Sequence, residues 1–182
     1  MRSTEVSLLE VLRFREKKDG IQRVIQSDDS DWIVVSLGMN IPGPVKTGAS
    51  IYEAFLEGGE ALEAIFQNRH GGLHFKAVLK ETAGYAAVYQ VEGIRAETMK
   101  ACAVELEETH MLGRLFDIDV SDGNGTWIPR ELVGGKTRKC LLCGADAKAC
   151  GRNRTHTADA LYEKVLEIME DWKKSESYER KN

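Results

Sequence analysis

An α+β domain is what this 182-residue sequence predicts, and three observations predict it. Trp32-Ile-Val-Val-Ser-Leu37 is a run of strand character, rich in β-branched residues. Leu73–Leu79 and Tyr85–Val91 are two more strand-like runs, joined around Glu81–Gly84. Stretches of helical periodicity separate these runs and lead to a last, alternating segment that ends at Val120. The central order is therefore β-α-β-β-α-β, with a helix at each end and a Cys/Arg-rich loop before the last helix. That order is compatible with a split-βαβ, ferredoxin-like sheet covered by helices on one side.

Taken in chain order, Leu8, Leu9, Val11, Leu12 and Phe14 give an amphipathic helix from about Thr4 to Lys17. Asp19-Gly20 punctuates it, and Ile21, Val24 and Ile25 suit a second short helix. The strand Trp32–Leu37 runs into Gly38–Lys46, where Pro42, Pro44, Gly38 and Gly43 make a stiff, bent connection. A helix from about Ser50 to Gln67 turns Ile51, Phe55, Leu62 and Ile65 inward. Gly58-Gly59 weakens its middle and is a place for a break. Arg95–Thr109 is helical, with Met99, Cys102, Ala103 and Leu106 on one stripe. Asp122-Gly123 and Asn124-Gly125 are hairpin signals, so Thr126–Ile128 is expected to pair back on the preceding strand. The last helix spans about Thr157 to Lys173, capped by Thr155 or Thr157, with Leu161, Val165, Ile168 and Trp172 inward. The polar segment Lys173–Asn182 is expected to fray, which leaves residues 1–172 as a single domain.

The net charge of −4 argues against a general nucleic-acid binder. Its distribution is uneven. Arg130 to Arg154 holds seven cationic side chains against only Glu131 and Asp146. Such a patch steers an anionic ligand or an acidic partner, unless it is simply a solvated basic loop. No segment approaches the length of a membrane span, and the first residues do not form an export signal. Cys102, Cys140, Cys143 and Cys150 are then most simply reduced thiols in a cytoplasm.

Arg114-Leu-Phe-Asp-Ile-Asp-Val120 reads as a short strand with Phe116, Ile118 and Val120 on one face and Asp117 and Asp119 on the other. Residues two apart on a strand are roughly 6.6 Å apart. Carboxylates at that spacing can converge on one or two Mg²⁺ ions, which commonly hold a polyphosphate. An ordinary edge strand with a polar outer face gives the same alternation. Arg114 could reach a phosphate oxygen, since its planar fork matches phosphate geometry. Glu107, Glu108 or His110 could serve as a third ligand or a general base, although a glutamate pair there suits a solvated helix end.

Three further groups of residues could carry chemistry. In Asn40–Lys46, Lys46 would offer a point charge to a phosphate, but the spacing is not that of a Walker loop. A rigid turn with a solvated lysine is the alternative. Cys140-Leu-Leu-Cys143, Cys150 and His156 could close a tetrahedral zinc site. The spacings after the C-x₂-C pair are not those of a common finger, and partly buried reduced thiols are the rival reading. Arg152-Asn-Arg154-Thr-His156 runs into a helix start, where backbone N–H groups favour an anion.

Together the motifs have a family likeness. Asn40-Ile-Pro-Gly-Pro-Val-Lys46, His110-Met-Leu-Gly-Arg-Leu-Phe-Asp-Ile-Asp-Val120 and Arg138-Lys-Cys-Leu-Leu-Cys143 with Cys150, Arg152 and His156 follow one another in this order. The chain resembles the holo-acyl-carrier-protein synthase of citrate lyase, also called apo-citrate lyase phosphoribosyl-dephospho-CoA transferase, from about Leu8 to Trp172. Thr82-Ala83 departs from it where a Thr-Gly pair is expected. The resemblance implies a nucleotidyltransferase-like enzyme with triphosphoribosyl-dephospho-CoA as donor and a serine of the citrate lyase acyl-carrier (γ) subunit as acceptor. Pyrophosphate would leave. By the chemistry of the side chains rather than by the resemblance itself, Asp117 and Asp119 would hold Mg²⁺. Arg114 and His110 would complete the catalytic set, and Asn40, Lys46, Arg130, Arg138, Arg152 and Arg154 would bind substrate. A related transferase for another carrier and a zinc-stabilised, non-enzymatic adaptor of citrate lyase are the alternatives.

Overall fold

The computed structural model describes residues 5–26 and 32–179. Thr4 and residues 180–182, expected to begin the first helix and end the tail, lie outside the described residues. Ser7 caps the first helix, α1 (Leu8–Ile25), in a capping box with Glu10. The helix runs unbroken through Gly20, so Asp19-Gly20 does not divide it as expected. Strand β1 (Trp32–Met39) follows, then α2 (Ala49–Asn68), β2 (Gly72–Glu81), β3 (Gly84–Glu92) and α3 (Ala96–Thr109). A 3-10 turn, Gly113–Leu115, precedes β4 (Phe116–Ser121), so Arg114 and Leu115 belong to that turn rather than to the strand. The order β-α-β-β-α-β therefore matches the expectation, as do both terminal helices.

The four strands lie in the order β2-β3-β1-β4, and every neighbouring pair is antiparallel. Val35 sits between Tyr89 of β3 and Val120 of β4. Side-chain alternation then sends Ile33, Val35 and Leu37 with Tyr89, Val91, Phe116 and Ile118 into the main core, under α2 and α3. The opposite face is not bare. Phe14 of α1 packs on Ala83 and Ala86 there, so helices cover both faces of the sheet instead of one. The physical reason is legible in β3, whose first six residues are all buried, a pattern that needs cover on both sides. Only Phe14 and Gln22 of α1 are buried, whereas Leu8, Leu9 and Leu12, expected to face inward, are exposed.

Helix α2 is continuous through Gly58-Gly59, where a break was expected. The glycine serves packing. A Cβ at Gly58 would stand 2.8 Å from a ring carbon of Phe116, which is fully buried. Alanine would gain roughly 1 kcal/mol of helix propensity there. Forcing a methyl group against a fixed ring costs typically about 1–3 kcal/mol. Gly58→Ala should therefore be destabilised on balance, seen as a lower urea midpoint. A raised midpoint would mean that the ring yields without cost.

After β4 the chain returns through a single bridge, Ser121 to Trp127, and the Ile128 N–H donates to the Val120 carbonyl. Thr126–Ile128 thus pairs back on β4 as foreseen, over a short reach that includes an Asp122 N–H to Thr126 carbonyl bond of 3.0 Å. The Cys/Arg-rich segment holds a 3-10 turn, Arg130–Val133, and a short helix, α4 (Ala147–Arg152). The last helix, α5 (Ala158–Glu179), begins where Thr157 Oγ1 accepts from the Ala160 N–H at 3.1 Å. It continues past Lys173, so the segment expected to fray is helical through Glu179. Lys173 is tied back to α2 by Glu53 at 2.5 Å and Ser50 at 2.8 Å, which anchors that stretch. Among the described residues, no helix is long and apolar enough to cross a membrane.

Candidate active site

Asp117 and Asp119 project from β4 on the face opposite the main core, as the alternation predicts. Their register partners on β1 are Gly38 and Ser36, and Gly38 leaves the space beside Asp117 open. The far edge of β4 is not left to solvent. Ile118, between the two aspartates, gives its N–H to Glu107 Oε1 at 2.9 Å. Its carbonyl accepts from Lys100 Nζ at 2.7 Å. Both side chains come from α3, so the aspartates are held by β1 on one side and by α3 on the other.

Glu107 is 5% exposed, so it is not the solvated helix end that its sequence context suggested. Arg138 donates to it, and Arg130 stands 3.9 Å away. Burial pushes the Glu107 carboxyl up, against the pull of Arg138, the Ile118 N–H, Lys100 and Arg130. Arg138 also donates to the Phe116 carbonyl at 2.9 Å and lies 3.6 Å from Asp117. Lys18 of α1 reaches Asp119 at 4.0 Å. The aspartate side chains remain 53% and 48% exposed, so each can still take a ligand.

Clefts lie beside this strand and the turn that precedes it. One of about 610 Å³ is lined by Asn40, Arg114, Arg138 and Arg154 over an apolar wall that includes Pro42 and Leu161. A second, of about 600 Å³, holds Asp117, Asp119, Trp127, Arg130 and Arg138. Asn40 and Arg138 belong to both. A small recess of about 110 Å³ against α1 joins Lys46, Arg15 and Lys18 to Asp117. Volumes near 600 Å³ are typical of small-molecule sites.

The expected site residues are therefore distributed unequally. Asn40, Arg138 and Asp117 lie where the clefts adjoin. Arg154, held at φ 49°, and Arg114 line the first of these clefts. Arg114 donates to the Lys139 carbonyl, and burial, then Arg138 and Arg130, bring its pKa down. Lys46 donates to the Ile41 carbonyl at 2.5 Å, and burial followed by Arg15 lowers its pKa. Arg130 is spent on Glu108 at 2.9 Å, and its Nε and Nη1 are buried without hydrogen-bond partners.

Two expected residues stand elsewhere. His110 ends α3 on the main-core side. Its Nδ1 accepts from the Leu112 N–H at 3.0 Å, its Nε2 lies 3.4 Å from Glu57 and its ring lies against Phe116. It shapes the turn into β4 and lines none of the three clefts. Arg152 donates to the Lys148 carbonyl at 3.3 Å and also lines none of them. Lys18, Lys100 and Trp127 are additions that the sequence motifs did not point to. The available signal was the stripe Ala96, Lys100, Ala103 and Glu107, which puts two charges on a buried helical face.

Magnesium takes one or two carboxylates together with phosphate oxygens and water. Asp117 and Asp119 fit an ion of that kind. Among the described residues no third acidic, imidazole or thiol group joins them in a cluster. The cluster that does exist is Cys140, Cys143, Cys150 and His156, whose ligand atoms all lie within 4.8 Å of one another. Gly144, at φ 68°, closes the Cys140–Cys143 turn. Burial would raise the Cys140 thiol, but the Cys143 and Leu142 N–H groups and the neighbouring thiols outweigh it and bring the pKa down to about 7.

A carboxylate pair among cations, in a cleft of ligand size that shares Asn40 and Arg138 with a second one, marks an α+β protein suited to a phosphate-bearing ligand. The family model described as apo-citrate lyase phosphoribosyl-dephospho-CoA transferase matches residues 6–172, and the chain belongs to that family. A probable apo-citrate lyase phosphoribosyl-dephospho-CoA transferase of Vibrio cholerae is 33% identical over 139 residues, 76% of this chain and 78% of the relative. One of the same description from Streptococcus pyogenes is 29% identical over 167 residues, 90% of this chain and 85% of the relative. Protein CitXG of Leuconostoc mesenteroides is 28% identical over 171 residues, 93% of this chain but only 36% of that longer protein.

Proposed function

We propose that this chain is the transferase that loads phosphoribosyl-dephospho-CoA onto apo-citrate lyase. The donor is triphosphoribosyl-dephospho-CoA, and the acceptor is a serine hydroxyl of the acyl-carrier (γ) subunit. The reaction is a nucleotidyl-type transfer. The serine oxygen bonds to the phosphorus next to the ribose. The bond from that phosphorus to the bridging oxygen breaks, and pyrophosphate departs with the electron pair. The serine proton is lost as the new phosphodiester forms.

The observation that carries this reading is that two clefts of ligand size share Asn40 and Arg138, and that the second of them holds Asp117 and Asp119. The cleft that is apolar on one wall and cationic at Arg114 and Arg154 suits the elongated, phosphate-bearing donor. The second cleft presents Asp117 and Asp119 to the reacting phosphorus. Mg²⁺ bound there with the polyphosphate would offset the charge that develops on the leaving group. Arg138 and Lys18 hold the two carboxylates in place. The strand order β2-β3-β1-β4 supports the ferredoxin-like reading of the domain. The unpaired cysteines fit a reducing, cytoplasmic setting.

The test is mass spectrometry of apo-citrate lyase incubated with donor, Mg²⁺ and the protein. The expected result is a gain of one phosphoribosyl-dephospho-CoA on the γ subunit alone, with one pyrophosphate released per group. A gain on another carrier instead would reassign the acceptor. Tight binding without pyrophosphate would leave an adaptor.

A further inference from the structure

The segment between Arg138 and α5 carries a second constellation, on the wall of the ~610 Å³ cleft, to which the transfer chemistry assigns no step. Cys140 and Cys143 flank a tight turn closed by Gly144 in the left-handed region. The Gly144 N–H donates to the Cys140 carbonyl at 3.3 Å, and the Cys140 N–H donates to the Ala145 carbonyl at 2.7 Å. A short Cys-x-x-Cys turn of this kind brings two sulfurs to bear on one point. Cys150 comes from α4, and its Sγ is 3.4 Å from that of Cys140. His156 closes the group from the start of α5, and its Nε2 is buried with no hydrogen-bond partner.

An unpartnered buried imidazole nitrogen costs roughly 1–3 kcal/mol. Reduced thiols used only as small apolar groups would neither converge on one point nor leave that nitrogen unsatisfied. A tetrahedral zinc with Zn–S bonds of about 2.3 Å holds its sulfurs about 3.8 Å apart. The separations found here, 3.4 Å for one sulfur pair and none above 4.8 Å, bracket that value. Disulfide formation would use two thiols and leave the third and the imidazole without purpose.

We propose that Cys140, Cys143, Cys150 and His156 bind one Zn²⁺ ion as a closed, structural site. Four protein ligands leave no position for water or substrate, so the ion does not take part in the transfer. Its work is mechanical. Cys140 lies two residues after Arg138, and His156 lies two residues after Arg154. One ion therefore staples together the two stretches of loop that bring Arg138 and Arg154 to one cleft. It also replaces the hydrophobic core that a loop this polar lacks, since the binding free energy of zinc becomes folding free energy. The inference stands on the loop alone and survives if the acceptor or donor is reassigned.

The test uses the full chain, purified from reducing cells without chelator. The expected content is about one zinc per chain. Exchange into Co²⁺ should give thiolate-to-cobalt charge transfer and the intense visible bands of a tetrahedral ion. Cys150→Ser should weaken zinc binding by about 100-fold or more, beyond what loss of an outer partner costs. Cys102→Ser, whose thiol lies in α3 outside the cluster, should leave it unchanged. Chelation should lower the melting temperature, and added zinc should restore it. Less than about a tenth of an equivalent of zinc, with no charge-transfer band when freshly reduced protein is titrated with Co²⁺, overturns the proposal. So does a Cys140–Cys150 disulfide in protein isolated under those conditions.

Discussion

Asp117→Ala should lower the turnover number for prosthetic-group transfer by at least about 100-fold, the scale on which one charge-stabilising group matters. Asp119→Ala should do the same. Neither change should disturb the fold. Both side chains are about half exposed, and their contacts with Arg138 and Lys18 are 3.6 and 4.0 Å long at the surface. Pairs of that sort contribute little to stability. Unfolding curves and circular dichroism of the two variants should therefore overlay those of the parent. Asp117→Asn and Asp119→Asn keep the shape and remove the charge, so they should be nearly as inactive. Full transfer by either alanine variant, with Mg²⁺ present, would take β4 out of the mechanism. Loss of activity together with loss of structure would show that the aspartates are part of the fold rather than the chemistry.

The architecture was legible because its cues are local. Trp32–Leu37 is a β-branched run, and Phe116, Ile118 and Val120 alternate with carboxylates. Those patterns place β1 and β4 correctly and predict which face bears the aspartates. What the sequence misjudged depends on distant neighbours. Gly58 looks like a helix breaker until Phe116, from another element, is seen to need its space. Leu8, Leu9 and Leu12 read as an inward stripe, yet α1 meets the sheet through Phe14 and Gln22. His110 sits beside the aspartates in sequence, but a helix end and a tight turn carry it to the other side of the sheet. The cysteines went the opposite way. Their spacing fits no common finger, and the short helix α4 between Cys143 and His156 makes them converge. The substrate class was legible only in the ordered conjunction of motifs, since each alone is compatible with a bland surface.

Glu107 is where fold and site are hardest to separate, and it gives the largest expected effect on stability. Its carboxylate receives Arg138 and the Ile118 N–H, with Arg130 close by, at a position almost closed to solvent. Glu107→Ala would leave two largely buried guanidinium groups without their shared anion, and the Ile118 N–H without an acceptor. Removing one partner of a buried ion pair typically costs about 3–5 kcal/mol. The lower end, about 3 kcal/mol, is expected here, because Arg138 keeps the Phe116 carbonyl and Asp117 while Arg130 keeps Glu108. Glu107→Gln retains an acceptor for Ile118 and should lose less, about 1–3 kcal/mol. Urea titrations of both variants check this ordering. A second consequence separates support of the site from simple loss of fold. With Glu107 gone, Arg138 keeps Asp117 as its ion-pair partner among the described residues and should draw that carboxylate away from the proposed Mg²⁺. Transfer by the folded fraction of Glu107→Ala should then need more Mg²⁺ for half-maximal rate. If the Mg²⁺ requirement is unchanged while stability falls as expected, Glu107 serves the core alone, and Arg138 is held at the cleft by the Phe116 carbonyl rather than by the glutamate.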